Sequence, residues 1–148
     1  MYDRIINIRD DRVFTNIIQY AIRKSSHVSF CTFRYYHKKD VNANFSAFMD
    51  EIAPFELTAD IVNTFLLPRP YSKGQRFRVY ILSSKLKNKI LSVKSIGDWC
   101  VPNYPEDITF YTNQKPWIRT VTHEKFMFVE PANDEILKDL INLGAKIV

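Results

Sequence analysis

Glycine is scarce in this chain: three occur in 148 residues, and they are scattered. Neither G-x-x-x-x-G-K nor G-x-G-x-x-G is present, which argues against a P-loop NTPase or a standard dinucleotide-binding enzyme. Cysteine is as scarce. Cys31 and Cys100 lie far apart and form no C-x-x-C pair, so a disulfide scaffold is excluded and at most one bridge is left. His27, His37 and His123 have no zinc-ligand spacing with the cysteines. His123-Glu124 begins like H-E-x-x-H, but Met127 stands where the second ligand belongs. Neither a metal nor a cofactor is therefore expected. No apolar run approaches the roughly 18–20 residues that cross a bilayer, so no transmembrane segment is expected. The charged opening, with Asp3-Arg4 and then Arg9-Asp10-Asp11-Arg12, contains no signal-peptide pattern. The expectation is a soluble, reduced, cytoplasmic protein.

What is present fits one globular domain over 1–148. Apolar residues make up 46% and charged residues 25%. That mix is rich enough for a core and too apolar for wholesale disorder. The net charge of +5 is unevenly placed. From Tyr71 to Ser95 every ionised group is basic: Lys73, Arg76, Arg78, Lys85, Lys87, Lys89 and Lys94. From Ile96 onward acids outnumber bases. A positive surface over the first of these segments would suit an acidic protein, a nucleic acid or an anionic lipid.

Periodicity supplies the elements. Val13, Phe14, Ile17, Ile18, Ala21 and Ile22 mark one face of a helix, with Asp10-Asp11 at its start and Arg23-Lys24 at its end. Val28 to Tyr36 reads as an interior strand. Phe45, Phe48, Met49 and Ile52 predict a second helix, capped by Asn42 or Asn44 and stopped by Pro54. Thr58 to Leu67 is ambiguous and is read as a strand. Phe77, Val79 and Ile81 alternate as a strand does, and Ser83-Ser84 opens a short basic helix. Ile108–Tyr111, Trp117–Val121 and Phe126–Val129 predict a three-stranded meander, turning at Asn113-Gln114 and at His123-Glu124. A last helix runs from Asn133-Asp134 through Leu140 and Ile141 to Gly144. The fold class is α+β: a largely antiparallel sheet with a C-terminal meander, packed by amphipathic helices at both ends of the chain. Trp117 and Phe128 are expected in one core with Phe14, Ile18 and Ile141.

Expensive and reactive side chains concentrate between Gly97 and Glu130. His123, Glu124, Glu106, Asp107 and Arg119 have the makings of a hydrolytic site: a proton shuttle, carboxylates to orient it and an arginine to hold a phosphate. The plainer alternative, and the preferred one, is structural. Glu106, Asp107, His123 and Glu124 then come together to hold the 102–107 loop against the meander. Cys100 is a candidate nucleophile with His123 and Asp98, or a small buried hydrophobe. Trp99, Tyr104, Tyr111 and Trp117 are read as an aromatic group. Trp99 and Tyr104 are candidate binding residues, beside the basic Lys73, Arg76, Arg78, Lys85, Lys87 and Lys89. Arg76 and Arg78 share a strand face with Tyr80, either against phosphate or simply in water.

Pro105-Glu106-Asp107, Phe110-Tyr111, Trp117 and His123-Glu124 together resemble a pattern of small stand-alone bacterial proteins of unknown activity, some with sporulation-related labels. The resemblance implies no activity, cofactor or catalytic residue, only that these positions form one cluster. The leading expectation is a small macromolecule-binding protein, immunity-like or inhibitory, and not an enzyme. Its positive charge points to an acidic protein and away from a cationic nuclease as partner. The alternative is a metal-independent nuclease or RNA-binding enzyme using His123 and the basic stretch 73–94. The two differ in whether His123 opens into a concave site lined by bases.

Overall fold

The computed structural model describes residues 2–33, 39–68, 74–130 and 133–148. Within them the chain is α+β, built on a six-stranded, wholly antiparallel sheet. The strands are β1 (Asp3–Ile5), β2 (His27–Phe33), β3 (Gln75–Ile81), β4 (Glu106–Thr112), β5 (Lys115–Val121) and β6 (Phe126–Val129). Their order across the sheet is β1-β6-β5-β4-β2-β3. The helices are α1 (Asp11–Lys24), α2 (Ala43–Ile52), α3 (Ala59–Val62), α4 (Ser84–Ser92) and α5 (Asp134–Asn142). None of them is long and apolar enough to cross a membrane.

The caps follow from local chemistry. Asp10 accepts from the backbone N–H of Arg12 and Val13 at the start of α1. Asn42, Ser83 and Asn133 do the same for α2, α4 and α5. Gly144 takes φ 102° just past α5, a conformation that glycine alone adopts without strain. The β4–β5 turn places Asn113 and Gln114 at φ 49° and 63°, the left-handed pair that a tight hairpin demands.

Cross-strand register sorts the side chains into two faces. Tyr80, Val28, Phe110, Ile118 and Val129 oppose one another in a row from β3 to β6. All five are buried in the larger core, together with Phe14, Ile17 and Ile18 of α1, Phe48 of α2, Leu86 of α4 and Leu140 of α5. The neighbouring row lies on the other face: Val79, Ser29, Thr109, Arg119, Phe128 and Arg4. Burial fades along it. Val79, Ser29 and Thr109 are buried, Arg119 and Phe128 half-buried, and Arg4 exposed.

The segment expected as a strand, Thr58 to Leu67, causes that gradient. It is no strand. It contains the short helix α3 and crosses the second face as a strap. One end is fixed to β3, where Leu57 N–H donates to the Val79 carbonyl at 2.9 Å. The other is fixed to the β4–β5 turn, where Leu66 N–H donates to the Gln114 carbonyl at 2.9 Å and Gln114 to Thr64 Oγ1 at 3.0 Å. Phe65 packs with Val79 and Tyr111 beneath it, flanked by Leu57, Val62 and Leu67. Its apolar residues thus cover the β3–β2–β4 half of the face, and the β5–β6–β1 half is left more open.

Two core assignments change. Phe128 faces the second side of the sheet, because Met127 and Val129 take the buried side of β6. Ile141 is 58% exposed, and Leu140 is the buried residue of α5. Trp117, Phe14 and Ile18 do share the larger core. The expected β2 continuation through Tyr36 lies outside the described residues.

Candidate functional site

The end of β4 is bound to the turn after β5 by a reciprocal pair. Thr122 N–H donates to Asp107 Oδ1 at 2.9 Å, and Asp107 N–H donates to Thr122 Oγ1 at 3.3 Å. Asp107 holds φ 49°, a left-handed conformation that aspartate tolerates better than most residues. The clamp brings Glu106 beside the 3-10 turn Thr122–Glu124. Glu106 Oε2 then lies 3.3 Å from His123 Nε2. The carboxyl side chain is 5% exposed and the imidazole 72%. Burial raises the Glu106 pKa above its ordinary value, and the His123 charge opposes the rise.

These residues open onto a cavity of about 520 Å³, lined by Phe33, Gln75, Glu106, Asp107, Val121, His123, Glu124, Phe126 and Phe128. A second cavity, of about 500 Å³, shares Phe128 and is lined by Tyr2, Leu66, Leu67, Pro68, Lys115, Pro116, Trp117, Arg119 and Glu130. Tyr2 and Leu66 are each 62% exposed at its edge. The Tyr2 hydroxyl hydrogen-bonds to Glu130, which raises its pKa. The two cavities adjoin at Phe128 on the second face, and the first also draws walls from β2, β3 and β4. One has an acidic lining with a single histidine. The other carries Lys115 and Arg119 with Glu130.

Compared with protein-family models, with curated proteins and with solved structures, the chain matches none. The site therefore has to be read from its own geometry.

Glu106, Asp107, His123 and Glu124 are brought together, as expected. Arg119 is not at the histidine cavity: it lines the neighbouring one. Cys100 is directed elsewhere, its Sγ donating to the Gly97 carbonyl at 3.2 Å, and burial raises its thiol pKa. Its thiol hydrogen bond is made to Gly97 rather than to His123.

The aromatic group divides among three places. Trp99 is 1% exposed and stacks on Phe30 at 5.5 Å, with Phe48 and Tyr104 against it. It is a core residue and not an exposed anchor, and Tyr104 is half-buried on the same cluster. Tyr111 packs on Phe65 across the other face. Trp117 packs on Tyr20 and donates from Nε1 to Ser25 Oγ at 2.8 Å. Gly97-Asp98 closes as a 3-10 turn over Ile96–Asp98, which carries Trp99 inward.

The basic stretch is split between strand and helix. Lys73 lies outside the described residues. Arg76 is exposed, and Arg78 lies 4.0 Å from Glu56. Lys89 pairs with Glu51, while Lys85 is exposed and Lys87 half-exposed on α4. The face of Arg76, Arg78 and Tyr80 is not simply wet, since Tyr80 is buried in the larger core. Among the described residues, none of these bases lines either cavity.

Sequence reasoning missed the cavity walls. Phe33, Gln75, Val121, Phe126, Phe128, Tyr2 and Leu66 come from segments far apart in the chain, and no local pattern joins them. Among the described residues, no group of three His, Cys, Asp or Glu side chains is placed to hold a metal ion. Chemically, the arrangement offers aromatic walls, a buried carboxyl under a surface imidazole and, next door, an arginine beside apolar contacts.

Proposed function

We propose that this is a macromolecule-binding protein whose recognition surface is the part of the second sheet face around Phe128. One observation carries the reading: two adjoining cavities of about 500 and 520 Å³, divided by Phe128. Their lining is rich in Phe, Tyr, Trp and Arg, the side chains that dominate binding hot spots. Tyr2 and Leu66 are each exposed at the edge of this recess, and apolar exposure grouped in this way marks interaction sites. An inhibitory or immunity-like role is one form of this function.

We read the partner as something other than the acidic protein first expected. Arg78 and Lys89 have acidic neighbours within the chain. The nuclease or RNA-binding alternative needs cations around His123, and the described lining of that cavity holds carboxylates instead. That lining would repel a phosphate backbone.

Site-specific photo-crosslinking in the native host tests the proposal. Crosslinkers at Tyr2, Leu66 and Phe128 are expected to capture a discrete partner, and one at Ile141 on α5 is expected to capture none. Equal capture at all positions, or none at the sheet face, removes this surface from consideration.

A further inference from the structure

We infer that the cavity around Glu106 receives a cationic side chain, a guanidinium or alkylammonium on an apolar stem, presented by a partner protein. The inference rests on the proposed use of this sheet face for binding.

Charge and shape argue together. The walls are the rings of Phe33, Phe126 and Phe128, with Val121. The ionisable lining is Glu106, Asp107, Glu124 and His123, and among the described residues it includes neither lysine nor arginine. Bordering cations among the described residues include Arg119, on the far side of Phe128, and Arg4. Arg4 lies over the Phe126 ring, 5.4 Å from its centroid, so this ring already accepts a guanidinium from within the chain. Asp107 is committed to Thr122. Glu106 is 5% exposed and hydrogen-bonds to an imidazole that is itself 72% exposed.

An anion entering here meets carboxylates. A purely apolar group would bury Glu106 further with no counter-charge. A cation on an apolar stem supplies that charge while its methylenes pack on the rings. The net charge of +5 does not oppose this strongly, because fields are screened beyond about 8 Å at physiological salt.

The test uses the full-length, 15N-labelled chain and three probes: butylguanidinium, its neutral analogue N-butylurea, and the tripeptide acetyl-Gly-Arg-Gly-amide. Butylguanidinium is expected to give saturating amide shifts at Glu106, Asp107 and the turn Thr122–Glu124. N-butylurea is expected to give none. Glu106→Gln should weaken binding about tenfold or more, through loss of the buried charge partner. His123→Ala keeps the carboxylate and is expected to bind at least as tightly as the wild type, so one unfolded variant does not decide the matter. The tripeptide should bind no more weakly than butylguanidinium.

Equal shifts from N-butylurea, or no saturation with butylguanidinium, overturn the site. A cavity that takes butylguanidinium but refuses the tripeptide overturns the protein-borne source. Crosslinking from Phe128 that succeeds while butylguanidinium fails sinks this inference alone and leaves the binding surface standing.

Discussion

Asp107 and Thr122 hold each other across the end of the meander, each donating its backbone N–H to the other's side chain, at 3.3 and 2.9 Å. Both residues are buried. The pair closes two backbone donors that no strand ladder would satisfy, at the point where β4 begins and the β5–β6 turn starts. Through Asp107 it carries the loop-pinning expected of Glu106, Asp107, Glu124 and His123 together. The hydrogen bond of that imidazole is to Glu106, not to the backbone.

Asp107→Ala should therefore cost about 1–3 kcal/mol, since it leaves the buried Thr122 N–H without its acceptor. Asp107→Asn keeps an acceptor and tolerates the left-handed backbone, so it should stay within about 0.5 kcal/mol of the wild type. His123→Ala removes an exposed partner and should cost less than about 1 kcal/mol. Urea denaturation of the three variants checks the order. An alanine variant at 107 as stable as the wild type would show that the clamp contributes nothing.

The two faces of the sheet should respond differently to truncation. Phe110 is fully buried in the larger core, and Phe110→Ala should cost about 3–5 kcal/mol. Phe128 is half-buried between the cavities, and Phe128→Ala should cost about 1–2 kcal/mol. Denaturation midpoints compare them directly. Equal losses would place Phe128 in a closed core and take away the open surface.

Much of this fold was legible because its signals are local. The helix α1 has apolar residues at helical spacing, an aspartate cap and basic residues at its end, and it runs from Asp11 to Lys24 as that pattern requires. The meander was legible from its turns. The strand β1 was not: Asp3–Ile5 is three residues in a charged stretch, and pairing with Met127, Phe128 and Val129 defines it. Nor was the buried side of β6 legible, because Phe126, Met127, Phe128 and Val129 are all apolar and alternation is silent there. The strap at 58–67 misled because its β-branched and aromatic residues also suit a chain lying over a sheet. For the site, four polar residues at strand ends were visible as a cluster. The rings that make it a cavity were not, since they meet only through the sheet register.

Neither cysteine should behave as a reactive thiol in the folded chain. Burial pushes Cys31 up to about 12, and Cys100 is also raised, with its Sγ bonded to the Gly97 carbonyl. Ellman's reagent at neutral pH should titrate both only after denaturant is added. Rapid labelling of native Cys100 would contradict its placement.

The Tyr20 hydroxyl ties α1 to α5 through Asp139 Oδ2 at 2.8 Å. Tyr20→Phe should cost about 0.5–1.5 kcal/mol at neutral pH. Burial, followed by the Asp139 bond, pushes the Tyr20 pKa from 10.0 up to about 12. The folded state thus keeps this proton after the unfolded chain has lost it, and stability should fall as pH rises from 10 toward 12. Melting temperatures of both proteins at neutral and at alkaline pH test this, because the phenylalanine variant lacks this part of the alkaline decline.

Glu106 gives the pH dependence nearest the candidate site. Its pKa is raised from 4.5, first by burial, with the neighbouring Asp107 adding to the rise and His123 opposing it. A carboxyl raised on folding stabilises the native state in its protonated form. That contribution is complete below pH 4.5 and is lost as pH rises through the folded value. Glu106→Gln keeps the shape and cannot ionise, so it should melt close to the wild type at about pH 4 and progressively above it toward about pH 7. Placed in a His123→Ala background, the same substitution should gain more at neutral pH, because the ring that favours the carboxylate is gone. A constant melting offset between the variant and wild type across this range would mean that burial does not set the charge state of Glu106. The cavity would then hold no latent counter-charge for a cation to satisfy.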